Sequence, residues 1–189
     1  NLYNGDVVIA RPLTQCGGNR MPVSITAYYG VLLYGVTANM RAGWRLSCDQ
    51  CMTKSYINDE LYFIWSKGDG SQHYFRKPNS SAAYYEDLSG LSLKLTDNGT
   101  YTEIEDKGGT VMRFESPQDA LDDTGRLLSI TDSCGNTNTF QYGDWQLERI
   151  TDGAGRVTQF TYSGNMLTGI LAPGETAPVT LEYYNNMRL

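Results

Sequence analysis

Along the last third of the chain, apolar and polar positions recur with a period of 20. Leu127, Leu147 and Leu167 are 20 apart, as are Ile130, Ile150 and Ile170. Asp132 is answered by Asp152, Gly135 by Gly155, Phe140 by Phe160 and Tyr142 by Tyr162. The third copy departs: Ala172 stands where the aspartate is due, and Tyr183 follows Tyr162 by 21. A fixed period near 20 residues marks a stacked repeat architecture, with copies at 125–144, 145–164 and 165–185.

Inside one copy the pattern is that of a β-hairpin. Thr137–Tyr142 (TNTFQY) and Val157–Tyr162 (VTQFTY) are rich in β-branched and aromatic residues, and Phe and Tyr two apart share one face of a strand. Thr-Asp-x-x-Gly precedes each strand; the Asp side chain can bond back to the backbone, and the Gly takes the positive φ that leaves the turn. The Leu-x-x-Ile spacing of three does not suit a flat strand with one buried face and predicts a bulge, or a strand covered on both sides. One hairpin cannot bury its apolar face alone, so neighbours must stack.

The front of the chain follows the same grammar more loosely. Val7 and Ile9 alternate, as do Val23, Ile25 and Ala27, with CGGNRMP between them as a turn, which predicts a hairpin. LYFIWSKGDGSQHYF reads as strand, Gly-Asp-Gly turn and returning strand, and Asn98-Gly99 is a strong hairpin dipeptide in the following meander. Gly70, Gly109, Gly135 and Gly155 each precede a phenylalanine by five (Phe75, Phe114, Phe140, Phe160), so the front half is read as degenerate hairpins of the same kind. Ser116-Pro117 could cap a short helical turn or open a loop. There the chain divides into 1–115, β-rich and irregular, and 116–189, which holds the repeats. The predicted class is all-β: antiparallel hairpins in a meander, with little or no helix.

GRLLSITDSCGNTNTFQY and LERITDGAGRVTQFTY resemble the YD repeats of Rhs-type bacterial surface and toxin proteins, which also occur in teneurins. That family's pattern is roughly G-x-L-x-x-I-T-D-x-x-G-x-x-x-x-x-x-Y, and two copies match it at almost every signature position. Asn1-Leu2-x-x-Gly5, Met21-Pro22-Val23-Ser24-Ile25 and Gly43-Trp44 resemble the same group's N-terminal part; where the family writes Tyr-Asn-Ser, this chain has Tyr29-Gly30-Val31. The resemblance implies a β-sheet spiral of stacked repeats forming the wall of a hollow shell. It also implies a secreted or cell-surface location in bacteria. The chain would be a non-enzymatic segment of a longer protein, since the autoproteolytic motif that ends such shells does not occur in it. Its partners would be further repeats, with Asn185–Leu189 opening a fourth copy, or a second chain joined through the C-terminal edge.

Composition narrows the alternatives. A net charge of −6 and a pI near 4.7, without a Lys/Arg cluster, exclude phosphate-neutralising nucleic-acid binding. The longest apolar run, Val31–Val36, is too short to span a bilayer. Fourteen tyrosines and three tryptophans (Trp44, Trp65, Trp145) suit packing between hairpins. The same aromatics offer a second reading, a stand-alone carbohydrate-binding module for cell-wall or host glycans, whose stacking platform would come from Tyr28, Tyr29, Tyr84, Tyr85 and Trp145.

Candidate chemistry is sparse. Cys48-x-x-Cys51 lacks the second ligand pair of a zinc site and the βαβ context of a redox motif, and Cys16 and Cys134 stand apart, so the four read as free thiols with a disulfide as the alternative; no cofactor or metal is expected. His73, the single histidine, sits among aromatics without a nucleophile near it in sequence. Glu103, Glu105, Asp106, Asp122 and Asp123 read as solvated carboxylates, and DALDDTG lacks the ligand spacing of a calcium loop. No catalytic residue is expected.

Overall fold

The structure is a computed structural model that describes residues 8–30, 40, 43–118 and 123–183. Asn1–Gly5, Val7, the run 31–36, residues 119–122 and the stretch 185–189 lie outside the described residues. Every regular element among those described is a strand, and no helix is long and apolar enough to cross a membrane. The chain divides into two compact units that interleave in sequence, one of residues 50–67 and 71–137 and one of 1–49, 68–70 and 138–189. Residues 116–137, grouped from sequence with the repeats, fall in the first of these.

β1 (Ile9–Thr14), β2 (Ile25–Tyr29) and β3 (Trp44–Leu46) form a three-stranded antiparallel sheet. The β1–β2 hairpin runs in register from Ile9↔Tyr29 to Thr14↔Ile25, with a bulge beyond Pro12, which has no amide hydrogen to give the ladder. Ile25 and Ala27 are buried, whereas Ile9 is 54% exposed.

The first unit is a closed barrel of eight strands: β4 (Cys51–Ile57), β5 (Glu60–Ser66), β6 (Gln72–Arg76), β7 (Tyr85–Asp87), β8 (Lys94–Asp97), β9 (Tyr101–Glu105), β10 (Val111–Glu115) and β11 (Thr124–Thr131). Each strand pairs antiparallel with the next, and β11 returns to β4 through Thr124↔Thr53, Gly125↔Met52 and Arg126↔Cys51. The hairpins of this unit therefore close on themselves, and closure leaves no free sheet edge. Phe63, Phe75, Leu95, Ile104, Phe114 and Leu127, linked across strands by the register, point inward and are fully buried. Eight strands leave an interior just wide enough for such side chains. Gly125 permits the approach of β10 to β11, because a Cβ there would meet the Glu115 carbonyl oxygen at 1.9 Å. Beside it Arg126 forks onto Glu115, with Nη2–Oε1 at 2.6 Å and Nε–Oε2 at 2.8 Å.

In the second unit β12 (Thr137–Tyr142), β13 (Leu147–Thr151), β14 (Val157–Ser163), β15 (Met166–Leu171) and β16 (Val179–Thr180) pair antiparallel in sequence order. The Leu-x-x-Ile spacing has a single physical cause. Tyr142 pairs with Leu147 and Gln141 with Arg149, so Glu148 is an extra, bulged residue. Thr168 is bulged in the same way between Leu167 and Gly169, and in the barrel Leu128 is bulged between Leu127 and Ser129. The extra residue resets the alternation, which lets Leu147 and Ile150, and Leu167 and Ile170, all be buried three apart.

Candidate ligand cleft at the barrel rim

The repeat signature residues serve the backbone. Asp132 Oδ1 accepts the amides of Cys134 and Asn136, both at 2.9 Å, and Asp152 Oδ1 accepts those of Ala154 and Arg156, also at 2.9 Å. Asp106 closes an equivalent turn on Gly108 and Thr110 (2.7 and 2.8 Å), so EDKGGT is a further copy of the motif, which the Asp-to-Gly spacing of three could have revealed. Gly109, Gly135 and Gly155 leave these turns at φ near +80° (81, 82 and 79°). The carboxyls of these aspartates are held below the usual range: Asp106 mainly by the Thr110 amide, Asp132 mainly by the Asn136 side chain. For Asp152 burial pushes the other way but is outweighed by the amide and guanidinium of Arg156. The Tyr162 hydroxyl donates to the Leu147 carbonyl at 2.8 Å and that of Tyr183 to the Leu167 carbonyl at 2.7 Å. Each closing tyrosine thus ties the end of its repeat to the bulge at that repeat's own start. Phe140 and Phe160 are buried.

The five aromatics expected as a glycan platform are divided between the two units. Tyr28, Tyr29 and Trp145 fall in the repeat unit, Tyr84 and Tyr85 in the barrel unit. Tyr29 packs on Trp44 with centroids 5.1 Å apart, and Trp145 is 80% exposed on the β12–β13 turn.

Tyr85 stands differently. It opens β7 at the end of the barrel where the β4–β5 and β8–β9 turns and the β6–β7 loop gather. Its ring meets Phe63 edge-on at 4.8 Å and 76°. Burial, then the nearby Asp97 carboxylate, push its phenol up. At the same end Lys54 of β4 and Asp97 of β8 face each other across the interior, Nζ–Oδ2 3.9 Å, with side chains 17% and 19% exposed. These strands are not neighbours in the barrel, so the pair spans the lumen. Ser116 donates to Asp97 Oδ1 at 2.7 Å; its hydroxyl serves this cluster, where sequence offered it as a helix cap. Thr102, opposite Asp97 in register, is wholly buried, and its hydroxyl has no partner among the described residues. Outside Tyr85 a cleft of about 550 Å³ opens along the rim, lined by Glu60, Leu61, residues 76–80 and Tyr85. Within it Arg76 Nη1 bonds Glu60 Oε2 at 3.2 Å, and Lys77 Nζ lies 5.5 Å from the Tyr85 ring centroid. Sequence reasoning missed Lys54, Asp97 and Arg76. The local signals at this end were Asn98-Gly99 and Asn58-Asp59, the latter a two-residue turn with both φ positive (51 and 63°).

Other candidates are brought together less. His73 lies 5.0 Å from Trp65, tilted on it, with Nδ1 3.2 Å from Ser89 Oγ, a neighbour 16 residues away that sequence could not show. The Asp87 carboxylate accepts the amides of Ser89 and Leu91. Glu103 pairs with Arg113 at 2.6 Å. No disulfide links Cys16, Cys48, Cys51 and Cys134, and among the described residues no three His, Cys, Asp or Glu side chains converge as metal ligands would. Asp49 is buried after β3, its Oδ2 accepting the Leu46 amide at 3.0 Å. Burial raises its carboxyl to about 7 against the pull of that amide and of Arg45, and burial with the Asp49 charge pushes the Cys48 thiol well up.

No protein-family model matches the chain, and no curated protein matches it.

Proposed function

We propose that the chain is a non-enzymatic structural segment of a secreted or cell-surface YD-repeat protein, part of a β-scaffold that grows by adding repeats. The observation that supports this is the tyrosine-to-bulge bond, made twice with the same geometry: Tyr162 on Leu147, Tyr183 on Leu167. Each bond closes one repeat on itself, and the strand that ends in the tyrosine pairs onward with the bulged strand of the next repeat, Tyr142 opposite Leu147 and Tyr162 opposite Leu167. A unit so built is a template for its own extension.

The natural occupant of the last strand's open side is another repeat, from the same chain or from a second copy. β16 pairs only with β15 among the described residues, and Val179, at that edge, is 36% exposed. Sedimentation velocity from micromolar to near-millimolar protein is expected to show growing association, lost in Val179→Lys, which places a charge on the edge. A strictly monomeric wild-type protein over that range would contradict association through this edge.

A further inference from the structure

We propose that the β8–β9 turn is a self-modifying site, at which attack by the Gly99 amide converts Asn98 to aspartate and isoaspartate. The inference is independent of the scaffold reading, because it uses one barrel turn and none of the repeat signature.

Three observations carry it. First, nucleophile and electrophile adjoin in open space. A peptide nitrogen that follows asparagine can close a succinimide ring on the side-chain Cγ, and a side chain on the following residue obstructs the approach. Here that residue is Gly99, exposed as Asn98 is, and a Cβ built on it would meet nothing within 4 Å. The β8–β9 ladder ends at Asp97↔Thr102, so it does not engage the Gly99 amide.

Second, that amide is aimed at a base. It donates to Asp97 Oδ1 at 3.0 Å, so the proton that must leave the nucleophile already points at a carboxylate. Asp97 is oriented from the barrel side. Ser116 donates to the same oxygen at 2.7 Å, Lys54 Nζ stands 3.9 Å from Oδ2, and the Tyr85 phenol lies within reach of the Asp97 charge.

Third, the oxygen on which charge develops is already bonded. Asn98 Oδ1 accepts the amides of Thr100 at 3.0 Å and Tyr101 at 2.9 Å, two fixed donors on the atom that becomes an oxyanion. The leaving nitrogen, Nδ2, donates to none of the described residues. Base, nucleophile and oxyanion donors therefore meet on one turn.

The step needs only the chain and water. Asp97 takes the Gly99 amide proton as the nitrogen bonds to Asn98 Cγ. The Cγ–Nδ2 bond then breaks, the proton passes to Nδ2, and ammonia leaves. Water opens the resulting succinimide at either carbonyl, giving aspartate or isoaspartate. Isoaspartate places the side-chain methylene in the backbone of a turn that Gln118 holds through the Gly99 carbonyl at 2.9 Å.

The test is tryptic mapping of protein kept at 37 °C and pH 7.4, following amide-to-acid conversion and isoaspartate in the fragment Leu95–Lys107, whose sole asparagine is Asn98. The same chain unfolded in guanidinium chloride at that pH and temperature supplies the reference rate. Conversion about tenfold faster in the folded protein is expected, and Asp97→Asn, which keeps the shape and removes the base, is expected to lose that advantage. Circular dichroism checks that the variant folds; should it not, the parent's pH profile serves instead. With a carboxylate in place of hydroxide as the base, the folded rate is expected to rise less steeply between pH 6 and 8 than the unfolded rate. The proposal is overturned if Asn98 converts no faster folded than unfolded, as it would were the hydrogen bonds only a clamp. It is equally overturned if a folded Asp97→Asn variant converts as the parent does, or if folded and unfolded rates rise alike with pH.

Discussion

At the scale of single residues, hydroxyls, carboxyls and glycines do separable work. Tyr162→Phe removes one hydrogen bond and almost no volume, so the expected cost is about 1–2 kcal/mol, read from urea unfolding. Tyr183→Phe, which loses the bond to Leu167, is expected to match it; a neutral result at both would remove the tyrosine lock from the account. Asp49 gives a pH signature. Its carboxyl, near 3.8 unfolded, is raised to about 7 in the fold by burial. The folded state therefore holds the proton more tightly. The stability this confers is complete below pH 3.8 and is lost as pH rises through 7, at no more than about 1.4 kcal/mol per pH unit. Asp49→Asn keeps an oxygen for the Leu46 amide and removes the titration. The variant is expected to exceed the parent most at pH 8, with the gap closing toward pH 4; parallel stability profiles would contradict a raised carboxyl. Of the ionisable groups described around it, Cys48 and Tyr162 are both pushed upward by burial, away from that window.

At the scale of elements, the local devices were legible in the sequence because each is written within a few residues. Leu-x-x-Ile called for a bulge or a strand covered on both sides, and a bulged residue follows Leu127, Leu147 and Leu167. Asp-x-x-Gly called for an Asx-type turn, and the hydrogen bonds of Asp132 and Asp152 make one. Closure of the barrel was not legible. It depends on β11 returning to a strand some 70 residues earlier, and nothing in the alternation of β4 distinguishes an edge from a seam. The glycines show the same divide. Gly155 is needed for its φ of 79° and has open space around it, whereas Gly125 is needed because a Cβ would strike the Glu115 carbonyl. Gly155→Ala is expected to cost about 1–2 kcal/mol of left-handed strain, and Gly125→Ala more than that, because backbone must move. Chemical denaturation of the two variants checks the order; the reverse order would contradict the close approach at the seam.

For the whole molecule, what sequence could convey was the repeat and its all-β class; what it could not was the meeting of distant side chains. Lys54 and Asp97, or His73 and Ser89, become neighbours only once the barrel has curled. The scaffold reading rests instead on self-similarity, which is written in the chain, and so it can be tested by writing more of it. The most direct measurement is amide hydrogen exchange on a protein in which residues 145–164 are duplicated in tandem after Ser163-Gly164. If each repeat templates the next, the added copy is expected to fold against its neighbours. Its Ile150- and Phe160-equivalent amides would then be protected as strongly as those of the parent repeat, and the denaturant m-value would rise with the added buried surface. An inserted copy that exchanges as an unfolded loop, with the m-value unchanged, would contradict the claim that these repeats build a wall by addition.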